Sequence, residues 1–272
     1  MVEIQEEEID LREYINVLLR RKGIILLIFL IAAITAAIIS YFALSPIYQS
    51  STVFSVAQVD RQPVINITEA LEIIKSNVVL DEVINQMSLE ETTEQLKPQI
   101  TTESLGGTNF IKVSVEHDTP EKAKSLVENI IEVFIKQNQA EYQEQVKLIE
   151  DRLKVLKYQA EELEANISEI EKAKKTITAS KELSEAEKQF QVSLLLSSSS
   201  TTQNLYSNLT EQIYTLQENL SNCEDFKIIN YAQLSTTPIK PNKKLNILIA
   251  GVLGLFVGIF VAFFLEFWQK GK

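Results

Sequence analysis

Two stretches of the chain are almost entirely apolar, one near each end. Gly23–Leu44 contains 22 residues without a charged side chain, and Ile247–Leu265 contains 19 more. At 1.5 Å per residue the first stretch would form a helix of about 33 Å, which is enough to cross the hydrocarbon core of a bilayer. The pattern predicts two transmembrane helices, at residues 23–44 and 245–267. An acidic leader and the length of the first stretch argue against a cleaved signal peptide.

Basic residues lie at the outer ends of both predicted spans. These topology anchors are Arg20, Arg21 and Lys22 before the first span, and Lys270 and Lys272 after the second. Because positively charged flanks stay in the cytoplasm, both termini are predicted to be cytoplasmic. The prediction assigns a cytoplasmic N-terminal segment to residues 1–22, a cytoplasmic tail to 268–272 and an extracytoplasmic position to 45–244.

The region after the first span mixes strand and helix patterns. Tyr48–Val59 is rich in β-branched and aromatic residues and predicts a strand, while Phe110–Glu116 alternates apolar and polar residues. A capping box that starts at Asn66 predicts a helix running to about Met87. Thr119 and the following proline predict the start of another amphipathic helix. Residues 45–139 are therefore expected to form the first part of an α/β base domain.

Apolar residues then recur at alternating spacings of three and four, which is typical of a coiled coil. The first series is Val146, Ile149, Leu153, Leu156, Ala160, Leu163, Ile167 and Ile170, and the second is Tyr206, Leu209, Ile213, Leu216, Leu220 and Cys223. The polar run Ser197–Thr202 is interpreted as an interruption, and the reversal is expected at Thr176–Ser184. Residues 140–225 thus predict an antiparallel coiled-coil hairpin.

A last strand at Phe226–Gln233 and a Pro/Lys linker complete the outer region at 226–244. The predicted fold class is an α+β membrane protein. It has two transmembrane helices, an extracytoplasmic α/β base domain and a long antiparallel coiled-coil hairpin.

Composition narrows the chemistry that the chain can perform. A net charge of −11 and a pI near 4.8 argue against binding a nucleic-acid backbone. One cysteine and one histidine leave few ligands for a metal site and no internal disulfide. His117 and Asp118 are interpreted as a surface turn, since no nucleophile pattern accompanies them. The sequence predicts no catalytic residue, no metal and no cofactor, and hence not an enzyme.

Small residues form strips on both predicted spans. They are Gly254, Gly258 and Ala262 in the second span, and Ala33 with Ala37, or Ala32 with Ala36 and Ser40, in the first. Small side chains let helices approach closely in lipid, so these strips predict packing, although glycine and alanine are also common in membrane helices generally.

Three further groups of residues have proposed roles. Pro238 and Pro241 predict a stiff, extended connection into the second span. Lys243 and Lys244 predict anchors at the lipid head groups. Three consecutive leucines cannot all face one partner helix, because successive helical residues point about 100° apart. Leu194, Leu195 and Leu196 are therefore candidates for contact with another copy of the chain.

Two segments carry a resemblance to a known family. The first comprises Asp10–Tyr14, the basic residues before span one and Pro46–Ser51; the second comprises Pro238–Lys244 followed by Gly251, Gly254 and Gly258. A Pro/Lys-rich stretch that leads into a glycine-bearing second span resembles the Wzz chain-length determinants, the bacterial polysaccharide co-polymerases. Only seven residues follow Leu265, so the resemblance implies a member without the tyrosine-kinase domain that is fused to some relatives.

The resemblance implies a multi-pass protein of the bacterial inner membrane that forms a homo-oligomeric ring. It would act with a Wzy-type polymerase, membrane lipid and a lipid-linked glycan to regulate the length of O-antigen or a similar polysaccharide in lipopolysaccharide biosynthesis. The alternative is a capsule or exopolysaccharide co-polymerase that serves as membrane adaptor for a separate cytoplasmic tyrosine kinase. A sensor is a weaker reading because the pattern shows no internal signalling module, and an export adaptor is weaker because such adaptors usually have one membrane anchor. A glycan hydrolase, which would need paired carboxylates on a cleft, is the weakest.

Overall fold

The computed structural model describes residues 11–270, with side chains for 14–269. Two parts of the chain lie outside the described residues: residues 1–10 of the predicted cytoplasmic segment, and Gly271 and Lys272 of the predicted tail. The chain divides into two compact units, which are described separately. The membrane unit comprises residues up to 50 with 116–124 and 234 onward, and the outer unit comprises 51–115 and 125–233.

The elements follow one another along the chain in this order. The helices are α1 (Leu11–Arg20), α2 (Lys22–Ile38), α3 (Ile67–Ile74), α4 (Asn77–Met87), α5 (Thr93–Leu96), α6 (Pro120–Ala179), α7 (Glu185–Ser221) and α8 (Lys243–Lys270). A π-helical turn at Ile39–Ala43 extends α2, and a short 3₁₀ turn follows α5. The strands are β1 (Tyr48–Ser55), β2 (Gln58–Val59), β3 (Gln62–Pro63), β4 (Ile100–Ser104), β5 (Phe110–His117) and β6 (Lys227–Asn230).

The two predicted apolar helices are present as α2 and α8. The apolar helical segments are long enough to cross a membrane at Lys22–Ala43 and at Lys243–Gln269. Their outward faces carry large apolar side chains such as Leu27, Ile34 and Phe260, all more than half exposed in the isolated chain. Such a surface is stable in lipid and not in water.

A four-stranded sheet with strand order β4-β5-β1-β6 lies at the centre of the base domain. β4 and β5 pair antiparallel from Ile100 opposite Val115 to Ser104 opposite Ile111, and β6 pairs antiparallel with β1. The alternation predicted for β5 is confirmed, since Ile111, Val113 and Val115 are fully buried. The core on this face includes Phe54 and Phe134, whose rings meet edge to face with centroids 5.6 Å apart.

Several local predictions are wrong in detail. The single strand predicted at Tyr48–Val59 is two strands, because the chain leaves the sheet after Ser55 and then forms the β2–β3 hairpin, whose turn has left-handed residues at Asp60 and Arg61. The single helix predicted after Asn66 is also two helices. The Ser76 side chain accepts from the amide of Val79 and starts α4 afresh. The pattern did not indicate β4.

The predicted hairpin is confirmed as α6 and α7, joined by a short reversal at residues 180–184. Along α6 the least exposed residues follow the predicted series, with Leu153, Leu156 and Ala160 at most 9% exposed. Because this burial arises within one chain, the two periodic faces must be turned toward each other. The helix predicted to start after Thr119 and the first arm of the hairpin form one continuous helix, α6, of 60 residues and about 90 Å.

The interruption predicted at Ser197–Thr202 is wrong. α7 runs through it without a break, and its half-buried positions keep the spacing of four and three. These positions are Lys188, Val192, Leu195, Ser199, Thr202, Tyr206, Leu209, Ile213, Leu216 and Leu220. Ser199 and Thr202 therefore occupy seam positions, and the helix continues because its register depends on spacing rather than on every seam residue being apolar.

Candidate functional site

The two membrane helices meet along the glycines of α8. A Cβ atom on Gly254 would lie 2.6 Å from the Cβ of Ala32 and 3.3 Å from the Cα of Phe29, and one on Gly258 would lie 3.0 Å from the Cα of Ile25. The neighbouring atoms at Gly258 belong to backbone, so they cannot move aside as a flexible side chain would. Only glycine permits this separation between the helices.

The other predicted strip residues lie at different depths in this seam. Gly251 faces the ring of Phe29, and Ala262 is fully buried. In α2, Ala33 and Ala37 are half-buried, but the close contacts of the glycines are with Ile25, Phe29 and Ala32. The structure therefore brings the glycines of α8 against the face of α2 that contains Ala32, the first residue of the second predicted strip, and not against Ala33 and Ala37.

An ion-pair cluster, which the sequence reasoning missed, closes one end of the seam. Glu266 is 8% exposed and accepts hydrogen bonds from Arg20 at 3.3 Å and from Arg21 at 3.2 Å. Arg21 also donates to the side chain of Gln269. Two of the predicted topology anchors thus bind the start of α2 to the end of α8. The available signal was spacing, since Glu266 continues the i+4 series of Gly258 and Ala262.

Polar contacts hold the opposite end of the same helix pair. The side-chain Nδ2 of Asn246 donates to the buried hydroxyl of Ser40 at 3.2 Å. The ammonium of Lys243 lies 4.2 Å from the centre of the Tyr41 ring, which is a cation–π distance. Lys244 is exposed. Of the two predicted lipid anchors, Lys243 has a protein partner, whereas Lys244 extends outward.

The Pro/Lys linker is bound to the residues that follow span one. Ile47 donates its amide to the carbonyl of Lys240 at 3.0 Å, and its own carbonyl accepts from Ile239 at 2.8 Å. The Lys240 ammonium lies 2.5 Å from a carboxylate oxygen of Glu116. Pro238 is exposed and Pro241 is half-buried. The linker therefore fixes where the chain leaves span one relative to where it enters span two.

Asn242 begins α8 directly after this linker. Its side-chain oxygen accepts from the amide of Leu245 at 3.2 Å, so it caps the helix. Because Pro241 cannot donate a backbone hydrogen bond, the helix starts after it. The predicted Pro/Lys motif thus has two local roles. Its first half pairs with Ile47 through backbone hydrogen bonds, and its second half starts α8.

In the outer unit, a groove of about 840 Å³ lies between α6 and β6. Ile131, Ile135 and Ile228 line it, and the exposed Tyr231 lies at its mouth. The hydroxyl of Thr52, which also lines it, is buried without a hydrogen-bond partner. Sequence periodicity could not reveal this groove, because it depends on how far α6 extends past the edge strand.

The base of the hairpin is joined by polar contacts. Gln139 of α6 donates to both carboxylate oxygens of Asp225, at 3.0 and 2.9 Å. Burial, and after it the nearby Asp225 and Cys223, raises the pKa of Tyr142 above its usual value. Tyr142 therefore stays protonated and neutral at physiological pH.

The three leucines singled out as contact candidates lie in the first half of α7. Leu195 is half-buried in the seam, whereas Leu194 and Leu196 are 56% and 49% exposed. Phe190, one turn earlier, is 66% exposed. This part of the helix therefore presents apolar surface that the single chain does not cover.

His117 is buried, and its Nδ1 atom lies beside a carboxylate oxygen of Asp118 and within hydrogen-bond distance of the backbone nitrogen of Thr119. The pair lies at the end of β5 and leads into α6. The interpretation of these residues as an exposed turn is wrong for His117, because packing covers its ring. Within residues 11–270 no group of three or more His, Cys, Asp or Glu residues could hold a metal ion.

Two family models match the ends of the chain. Residues 7–87 match Wzz, described as "Chain length determinant protein", and residues 189–267 match GNVR, described as "G-rich domain on putative tyrosine kinase". The first match covers α2 and the start of the base domain, and the second covers α7, the Pro/Lys linker and most of α8. The resemblance to the Wzz family is therefore confirmed.

A similar curated protein is the "Probable capsular polysaccharide biosynthesis protein YwqC" of Bacillus subtilis (strain 168). The two sequences are 35% identical over an alignment that covers 47% of this chain and 56% of the relative. The chain thus spans little more than half the length of that relative.

Two solved structures match this chain at low sequence identity. A full-length bacterial polysaccharide co-polymerase is 16% identical, with 97% of this chain and 99% of that chain covered and a TM-score of 0.45. A Wzz dodecamer is 14% identical, with 72% of this chain and 99% of that chain covered and a TM-score of 0.22.

Proposed function

We propose that this chain is a non-enzymatic polysaccharide co-polymerase that regulates the chain length of a lipid-linked surface polysaccharide. The observation that carries the proposal is the pairing of a Wzz match at residues 7–87 with a GNVR match at 189–267. Each match includes one of the two apolar helices. The polysaccharide is O-antigen or a similar glycan, and the chain acts together with a membrane polymerase of the Wzy type.

The geometry supports a structural role rather than a chemical one. Residues that the family resemblance singles out, Gly254, Gly258 and Lys240, build a helix seam and a bridge between chain segments. None of these contacts orients a group toward a reacting atom. These residues hold parts of a scaffold together. In this proposal the chain influences the length of the glycan and does not itself make or break a bond.

Deletion of the gene tests the proposal. We expect the repeat unit still to be made and polymerised, but its length distribution on a gel to lose the modal length. Complementation with the wild-type chain should restore the mode. An unchanged ladder after deletion, with expression of the chain verified in the parent strain, would contradict the proposed function.

The proposed location is the bacterial inner membrane, with both termini in the cytoplasm and residues 45–244 outside. The three cations that precede span one support this orientation. A cysteine at the exposed Ser168, in a Cys223→Ser background, should react with an impermeant maleimide in spheroplasts, and one at Gln5 should not. The buried Ser55 is a poor labelling position despite its place in the sequence. The reverse labelling pattern would overturn the orientation.

The proposed assembly is a homo-oligomeric ring in contact with membrane lipid, the polymerase and the lipid-linked glycan. The exposed Phe190, Leu194 and Leu196 of α7 support it, since a neighbouring copy would cover them. Light scattering of the detergent-purified chain should give a mass several times 30.8 kDa. The double variant Leu194→Ser, Leu196→Ser should lower it, with Val155→Ser as a control for loss of an exposed apolar side chain. A monomer for the wild type would contradict the ring.

A second candidate is a capsule or exopolysaccharide co-polymerase that acts as membrane adaptor for a separate tyrosine kinase. The description of the GNVR match and the capsular relative favour it. Pull-down of the tagged full-length chain should then recover a P-loop tyrosine kinase, and the kinase should be lost from membranes when the chain is deleted. Normal membrane recovery of the kinase without the chain would exclude an adaptor role.

A further inference from the structure

An apolar groove of about 550 Å³ opens on the lipid-facing side of the membrane helices, beside the end closed by Glu266. Lys22, Gly23, Ile25, Leu26, Phe29 and Leu255 line it. Gly23 lies at an open position of this lining, since a Cβ atom added there would meet no other atom within 4 Å. The groove thus runs along α2 from a cation at its rim into a wall of hydrocarbon side chains.

The three neighbouring cations at this end are bound differently. Arg20 and Arg21 both donate to Glu266, and Arg21 also binds Gln269. Glu266 therefore compensates part of the charge of the arginines, and their side chains are directed toward α8. Lys22 is exposed and lines the groove instead. The cation at the rim is thus available to a negatively charged group that lies at the same depth as the end of the helix.

We propose that this groove is a binding site for one anionic phospholipid of the surrounding bilayer. The ammonium of Lys22 would bind the phosphate, and an acyl chain would lie in the groove beside Gly23, along Leu26 and Phe29. The site combines a charge that complements the head group with apolar walls that complement the tail, a combination found where basic pockets between membrane helices bind lipid head groups. This lipid-site proposal requires that α2 and α8 insert into a membrane, but it does not require the proposed role in regulating glycan length.

The test uses the full-length chain reconstituted into vesicles of equal parts phosphatidylglycerol and phosphatidylcholine, then extracted into mild detergent. Native mass spectrometry should show phosphatidylglycerol retained in preference to phosphatidylcholine. Lys22→Gln should lower that preference about fivefold, as expected for one cation near the membrane surface, and Lys22→Arg should retain it. Equal retention of the two lipids by the wild type would overturn the proposal.

Two variants separate the groove from charge alone. Gly23→Leu adds a bulky side chain to the groove lining at a position where a Cβ atom has open space, so retention of both lipids should fall while Lys22 is unchanged. Lys244→Gln removes a cation that lines no part of the groove and should leave retention unchanged. Correct pairing of α2 with α8 is checked by a disulfide between cysteines at Ser40 and Asn246. Retention unaffected by Gly23→Leu, or displacement of phosphatidylglycerol by an equal amount of polyprenyl phosphate, would contradict a phospholipid site here.

Discussion

The two helix pairs of this chain are held together by different physics. In the α2–α8 pair the contact is made by glycines, and the large apolar side chains point outward. In the α6–α7 pair the contact is made by leucines and other apolar residues, and charged residues such as Lys154 and Glu161 point outward. The arrangement is inverted because the solvents differ. Water drives leucines into a seam, whereas lipid gives no such drive and leaves only close packing and polar contacts.

The ends of the two pairs differ in the same way. Glu266 with Arg20 and Arg21 closes the membrane pair at one end, and Ser40 with Asn246 holds it at the other. The hairpin reversal is held by a capping box, in which Ser184 and Glu187 bind each other's backbone amides. The membrane pair thus has polar contacts between helices at both ends. The hairpin has one at its base, Gln139 with Asp225, while its reversal relies on a cap within one helix end, where water can satisfy the remaining groups.

The largest effect is expected from filling the glycine seam. The double variant Gly254→Leu, Gly258→Leu adds side chains where a Cβ atom alone would already lie 2.6 Å and 3.0 Å from α2. Each change should cost about 1–3 kcal/mol of helix-pair stability. Disulfide formation between cysteines at Ser40 and Asn246 should drop sharply.

The matched control for the glycine variant adds the same bulk on the lipid-facing side of α8. Val252→Leu with Val257→Leu should leave disulfide formation at the wild-type level, because both valines are exposed in the isolated chain. Efficient cross-linking in the double glycine variant would show that the helices do not depend on close approach.

The hairpin seam should respond to loss of volume rather than to added volume. Leu156 is 9% exposed, and Leu156→Ala should destabilise the outer unit by about 2–3 kcal/mol, near the lower end for buried leucines. Val155→Ala is the control and should change stability by less than about 0.5 kcal/mol, since Val155 is 56% exposed. Urea unfolding of the full chain, followed by circular dichroism, measures both. Equal midpoints for the two variants would contradict the seam.

Ser199 is a polar residue at a seam position of the hairpin. Ser199→Leu places a leucine at a half-buried position in register with the apolar series, so it should stabilise the hairpin by about 1 kcal/mol. Ser200→Leu adds the same residue at an exposed position and should have no comparable effect. A destabilised Ser199→Leu hairpin with an unchanged Ser200→Leu hairpin would mean that the seam is too narrow for leucine at this level.

The smallest effect concerns pH at the hairpin reversal. The hydrogen bonds from the Ser184 hydroxyl and amide hold the pKa of Glu187 below its usual value. The folded-state pKa is depressed, so this contribution to stability is present above the unfolded pKa and is lost as pH falls through the folded pKa. The protection of amides at the start of α7 against hydrogen exchange, relative to their intrinsic exchange rates at the same pH, should therefore fall in acid.

Glu187→Gln tests the assignment of that pH effect. The glutamine can still accept from Ser184 but does not titrate, so the protection factors of residues 185–188 should no longer fall in acid. An unchanged pH dependence in this variant would assign the effect to another carboxylate, of which the exposed Glu185 in the same turn is the nearest.

Elements with a strong period could be predicted from the sequence. The two uncharged stretches became α2 and α8, and the spacing of three and four predicted the α6 seam residue by residue, from Val146 to Ile170. These features are local, because each follows from the side chains that one helix presents on one face. The glycine strip of α8 and the two small-residue strips of α2 were visible for the same reason, but the sequence did not say which α2 strip receives the glycines.

Other features required contacts between distant parts of the chain. Glu266 lies 245 residues from Arg21, and nothing in either local pattern indicates that they pair. The bridge from Ile47 to Lys240, the ion pair of Lys240 with Glu116 and the burial of His117 are of the same kind. The place of Ser199 and Thr202 in the seam was missed because residue type was weighed above spacing.

Sequence patterns alone predict which segments are apolar enough for lipid and which helices carry a seam. The tertiary structure decided which face of α2 receives the glycines, which charge binds Arg20 and Arg21, and that a groove remains beside Lys22. The physical reason is range: solvent preference and helical period act along the chain, whereas close packing and ion pairing depend on separations set only when distant segments meet.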